Sequence, residues 1–170
     1  MFRVSLANVF AHRTLRPLHE KHQATPKQVT LDSSLAQAGT EIFSGFAAEL
    51  SADNTVIIAD NSTTIVAGLF ALDRNNTIND LDNQPTDLAP FAIWQGGPDA
   101  YFQLDAPAFD DNESYAAGDT LVVADTGMLT LSAASGGGYA TKGTVVVAEV
   151  YEVPSASRLV IRLDAPNSLN

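Results

Sequence analysis

Apolar and polar positions alternate along most of this chain after residue 28, and the alternation is clearest near its end. In "RLVIRLD" (Arg158–Asp164), Leu159, Ile161 and Leu163 alternate with Arg158, Val160 and Arg162. A period of two places one apolar face and one mostly basic face on a strand. The preceding "GTVVVAEVYEV" (Gly143–Val153) is β-branched and ends at the small polar turn "PSAS", so the two segments predict a hairpin. Upstream, "YAAGDTLVVADTGMLTL" predicts a second hairpin, Thr120–Ala124 and Met128–Ser132 around Asp125-Thr126-Gly127. The final Gly127 suits the left-handed position of a three-residue loop, and Gly118 a positive φ at the strand entrance, with Asp119 beside it to bond nearby amides.

Further strands are predicted at "QVTLDSSL", at "EIFSGFAAEL" with Gly45 as a bulge or corner, and at "NTVIIAD" and "TTIVAGLFALD", the last two separated by a hairpin-sized gap at Asn61 and Ser62. "PFAIWQGG" and "AYFQLDA" complete a set of about eight to ten short strands with turn-marked spacing. The class is all-β: a small antiparallel barrel or sandwich over residues 31–170. Two polar stretches, Asp73–Pro90 and Asp105–Asp119, are expected to be solvated surface loops.

Residues 1–30 break the pattern. Phe2, Leu6, Val9 and Phe10 fall at helical spacing, and Pro17 and Pro26 are expected to interrupt any regular continuation. The apolar run Val4–Ala11 is too short for a secretory signal, while the Arg-rich, acid-poor composition is also that of a transit peptide. The preferred expectation is an extended or partly helical arm that orders on binding; the alternative is a frayed terminus.

Charge sharpens the division. Residues 1–30 hold five cationic side chains against Glu20 alone, a net of +4, together with His12, His19 and His22. Residues 31–170 hold four against nineteen acids, a net of −15. A body this acidic repels a phosphate backbone, so nucleic acid is not an expected partner. No apolar run reaches about 18 residues, so no membrane span is expected. There is no cysteine, hence no disulfide and no thiolate chemistry.

Candidate chemistry is thin. From Asp73, ligand-type side chains recur at Asn75 and Thr77, but Ile78 stands where a calcium loop needs glycine and Gln84 where it needs a bidentate glutamate. Asp110, Asp111 and Glu113 cluster in sequence without any requirement to converge. With every histidine in residues 1–30, no framework holds an imidazole against a serine. The reading is therefore no enzyme, no cofactor and no metal, with Trp94 in a core or interface before a sugar platform.

The order of the pieces carries a resemblance. A "GD-x-L" strand at Gly118–Leu121, a "G-x-L" strand at Gly127–Leu129, a Val-rich strand at Val145–Val147 and a final "L-x-I-x-L" strand at Leu159–Leu163 resemble the closing half of head decoration (capsid cement) proteins of tailed bacteriophages. "VAGLFALDRNNTI" and "PFAIWQGG" resemble the midsection of that group, so the likeness runs from about Thr63 to Pro166. It implies a structural protein on the outer surface of the virion head, bound to the major capsid protein, often as a homotrimer. The arm residues Phe2, Arg3, Phe10, Arg13, Arg16, Lys21 and Lys27 are then the expected contacts with coat or with a neighbouring copy. Deleting residues 1–27 is expected to abolish binding and leave the body folded. Val145, Val147, Tyr151, Val153, Leu159, Ile161 and Leu163 are expected either to pack between copies or to form a self-contained core. The alternative is a receptor- or glycan-binding module of a phage fibre.

Overall fold

The computed structural model describes residues 15–18, 25–32, 34–35, 42–51, 55–71, 90–97, 99–133, 142–164 and 167–168. Twelve strands lie among them, in chain order β1 Leu15–Pro17, β2 Thr25–Thr30, β3 Ala47–Leu50, β4 Val56–Ile58, β5 Ile65–Phe70, β6 Pro90–Gln95, β7 Tyr101–Asp105, β8 Thr120–Ala124, β9 Leu129–Leu131, β10 Lys142–Ser155, β11 Arg158–Leu163 and β12 Asn167–Ser168. They form two antiparallel sheets. Sheet A runs β1-β7-β11-β10-β8-β9; sheet B runs β2-β6-β5-β3-β4, with β12 added beside β5.

The period-two pattern fixes which face of sheet A is inside. Leu15, Leu104 and Leu159 share one cross-strand row, and Phe102, Ile161 and Val150 another; all six are buried. Each such side chain contributes roughly 1.5–3 kcal/mol relative to exposure. Sheet B supplies Ala47, Val56, Val66, Leu69, Phe70 and Ile93 to the same core. Between the sheets, the Trp94 and Phe102 rings lie 5.6 Å apart, and the Ala47 N–H donates to Gly127 O at 2.7 Å.

Both predicted hairpins form. β8 and β9 pair Leu121 with Leu131 and Val123 with Leu129, leaving the three-residue loop Asp125–Gly127. Gly127 takes φ +80° and Gly118 +94°, and Asp119 Oδ2 accepts the Ala116 N–H at 2.7 Å. Gly45 turns the corner before β3 at φ +99°. One connection differs from expectation. β4 and β5 do not pair with one another; β3 lies between them. The Asn61–Ser62 segment is instead an Asx turn, with Asp60 Oδ1 accepting from Ser62 N at 2.7 Å and from Ser62 Oγ at 2.6 Å. Pro17 and Pro26 also sit inside β1 and β2 rather than ending them. Both strands are at sheet edges, where a missing N–H leaves no neighbour unbonded.

Little free edge remains. At β1, Leu15 N–H donates to Ser44 Oγ at 3.2 Å and Pro17 has no N–H. At β9, Leu129 N–H donates to Ala108 O and its carbonyl accepts from Asp110 N. Sheet B curls until Leu31, just past β2, forms a parallel bridge with Val56 of β4. Such blunting and closure remove the template on which a foreign strand would add.

Candidate functional site

With the edges of sheet A blunted, contacts there fall to side chains, and the outer face of sheet A offers a well-organised set. Its rows place Arg16 beside Gln103, Arg158 beside Asp105, and Arg162 between Tyr101 and Glu149. Asp105 organises one end. Its oxygens accept from Arg158 Nε at 2.6 Å and Nη2 at 3.3 Å and from Gln103 Nε2 at 3.2 and 3.3 Å, with Arg16 Nη2 3.9 Å away. That bonding holds the Arg158 guanidinium above its ordinary value. At the other end Arg162 Nη2 donates to Glu149 at 2.8 Å, and its Nε lies 3.5 Å from Asp164. Between them the Tyr101 and Tyr151 rings meet edge to face at 4.9 Å. Tyr151 is 48% exposed. Tyrosine and arginine together are the composition that protein interfaces favour.

β10 bulges at Tyr151 on this face. Val150 pairs Ile161 and Glu152 pairs Val160, so Tyr151 is the extra residue between them. A second irregularity lies between Val146 and Ala148. Of the two arrangements expected for the Val145–Leu163 set, burial fits the self-contained core. Val145, Val147, Leu159, Ile161 and Leu163 are buried within the chain's own core, which leaves them no surface for a neighbour. Tyr151 remains exposed and Val153 half-buried. The "basic" face of β11 is likewise a ladder of ion pairs.

The acid-rich stretch 105–119 also departs from expectation, since Asp110 and Glu113 are buried. Asp110 Oδ1 accepts from the backbone and side-chain nitrogens of Asn112, each at 3.1 Å, and the Tyr115 hydroxyl donates to Asp110 O at 2.7 Å. Lys142 Nζ lies 3.3 Å from Glu113 Oε1 and donates to Leu131 O and Ala133 O. This pairing across the fold is what makes a buried glutamate affordable. Burial, reinforced by the charges of Asp110 and Glu113, pushes the Tyr115 phenol well above its ordinary value. Among the described residues, Asp110 Oδ2 is buried without a hydrogen-bond partner. Among the described residues no three histidine, aspartate or glutamate side chains group as a metal site needs.

Of the expected arm contacts, Arg16 lies on β1 and Lys27 is exposed on β2; Phe2, Arg3, Phe10, Arg13 and Lys21, like the Asp73–Gln84 motif, lie outside the described residues. Trp94 is half-buried against the core. Tyr101 and the Asp105 cluster escaped sequence reading, because a cross-strand pair such as Arg158–Asp105 joins positions 53 apart. Among the described residues no helix is long and apolar enough to cross a membrane. Compared with known proteins, the chain matches a family model described as phage cement protein over residues 1–169. No curated protein matches it.

Proposed function

The chain belongs to the phage cement protein family, and from that premise we propose that it binds the outer surface of an assembled phage head and stabilises it by bridging subunits of the major capsid protein. The observation that carries this reading is the extent of the match, which takes in the basic stretch 1–30 as well as the β body. The role is structural and asks for a rigid body with contacts spread over several coat subunits.

The described residues suit that role. One shared core ties both sheets together, and the β1 and β9 edges of sheet A are blunted, which limits the recruitment of foreign strands there. Contacts come from the stretch 1–30, including Phe2, Arg3, Phe10, Arg13, Arg16, Lys21 and Lys27, and from the Tyr101–Tyr151 face of sheet A. Specific interfaces bury about 1,200–2,000 Å², and a leading segment extends the footprint beyond what the small body offers. A protein that binds assembled coat and not free subunits stabilises the shell by mass action, about 2.7 kcal/mol per site at a hundredfold excess over Kd. The fibre-module alternative gains nothing from Trp94, whose ring packs against Phe102 where a sugar platform needs an open face.

Pelleting tests the reading. Purified heads incubated with the chain should carry it down saturably, with a whole-number ratio to coat subunits. Heads that pellet bare at micromolar protein would refute it.

A further inference from the structure

The leading stretch 1–30 is built into the body at two places. β2 pairs with β6 over six positions of sheet B, and β1 lies at the edge of sheet A, paired with β7. β1 has three residues and ends in Pro17, so its backbone offers few bonds and its hold rests on Leu15. That side chain is 2% exposed, in a pocket made by both sheets. Leu104 of β7 and Leu159 of β11 share its cross-strand row. From the entrance to β3, in sheet B, the fully buried Ser44 accepts the Leu15 N–H through Oγ at 3.2 Å. Beside it Gly45 leaves the space: a Cβ there would lie 2.6 Å from Leu104 Cδ1, 2.9 Å from Ala108 Cβ and 3.5 Å from Leu15 Cβ. After β1, Leu18 N–H donates to Tyr101 O at 3.0 Å, on the strand that carries one ring of the Tyr101–Tyr151 pair.

From this arrangement we propose that Leu15 is a positioning residue for the head contact: a peg that fixes the point from which residues 1–14 leave the body, and so sets the spacing at which the leading segment and the Tyr101–Tyr151 face meet the coat. The proposal deepens the cement reading and rests on it. Two contact regions joined at a fixed spacing bind as one, because engagement of the first presents the second at high effective concentration. A loosened joint dilutes the second contact and adds the cost of ordering the connection on binding. The peg is placed for that role. Leu15 begins the strand that directly follows residues 1–14, and its pocket draws on β7, β11 and the corner before β3, so its position is set by both sheets at once.

β9 supplies the control, because it is the opposite edge strand of sheet A, also has three residues, and carries the fully buried Leu129. Leu15→Ala and Leu129→Ala each leave a cavity and should lower the urea midpoint of the full chain. Head affinity, measured by pelleting where both variants are folded by circular dichroism, should separate them. Leu15→Ala should weaken binding about tenfold through the lost effective concentration, while Leu129→Ala stays near the parent. Leu15→Met, which conserves volume, should restore the affinity, and Ser44→Ala, which keeps the side chain and loses only its cap, should fall between. Hydrogen exchange reads the anchor without heads. The Leu15 and Leu18 amides should be protected in the parent, and Leu15→Ala should release them while the amides of β10 and β11 stay protected. Equal affinity for the parent and Leu15→Ala, an equal loss in Leu129→Ala, or Leu15 and Leu18 amides that exchange freely in the parent each overturn the proposal. A parent that leaves heads bare refutes the cement reading and the peg with it, whereas a parent that coats heads no better than Leu15→Ala refutes the peg alone.

Discussion

Gly127 closes the β8–β9 loop at φ +80°, and a Cβ there would collide with Ile58 of the opposite sheet. Gly127→Ala therefore meets both backbone strain and overpacking and should cost about 1–3 kcal/mol, read as a lower urea midpoint. Lys142 matters for a different reason. Its ammonium is the cation beside a glutamate whose side chain is only 2% exposed, so Lys142→Met removes one partner of a buried pair and should cost roughly 3 kcal/mol. Tyr115 gives a pH signature. Its phenol is held neutral above the ordinary value of 10.0, so its contribution is complete below that pH and is lost as pH rises from there toward the raised value. Urea midpoints across the alkaline range should fall more steeply for the parent than for Tyr115→Phe, which itself loses about 1 kcal/mol with the bond to Asp110 O. On the acid side, hydrogen bonds from Ser62 hold Asp60 below its ordinary value. Stability from that turn is present above the usual carboxylate range and fades as pH falls through the lowered value; Asp60→Asn should flatten that limb.

At the scale of elements, the strands were readable wherever alternation met a turn signal, as at β8–β9 and β10–β11. Where the pattern misled, a local irregularity or a distant partner was responsible. The register shift between Val146 and Ala148 put both Val147 and Ala148 in the core, and with them Val150, so that Tyr151 turns out, an inversion that no count of alternate residues anticipates. β1 and the first half of β2 were hidden because Pro17 and Pro26 read as breakers, yet an edge strand tolerates proline. Asp110 and Glu113 read as solvated because Lys142, 29 residues beyond Glu113, is invisible from the loop. The candidate surface was only half legible: Arg158 and Arg162 announced a polar face, but its aromatic centre depends on register. One consequence revises the truncation expected from sequence. Removing residues 1–27 deletes β1, with Leu15 in the core, and half of β2. It should lower the unfolding midpoint, whereas removing residues 2–13 should leave near-native circular dichroism and melting and still abolish head binding.

For the whole molecule, the net charge of −11 divides into −15 over residues 31–170 and +4 over residues 1–30, so the leading stretch is the part whose sign suits an acidic partner surface. The two sheets share one core, so a load applied at one face reaches the other without a hinge. The central claim is that this chain holds assembled coat together. The temperature at which purified heads disrupt, followed by release of packaged nucleic acid with and without saturating protein, tests it most directly. The account predicts a clear upward shift that saturates with the bound ratio, together with no measurable binding to unassembled coat subunits. An unchanged disruption temperature on fully occupied heads, or equal affinity for free subunits, would contradict it.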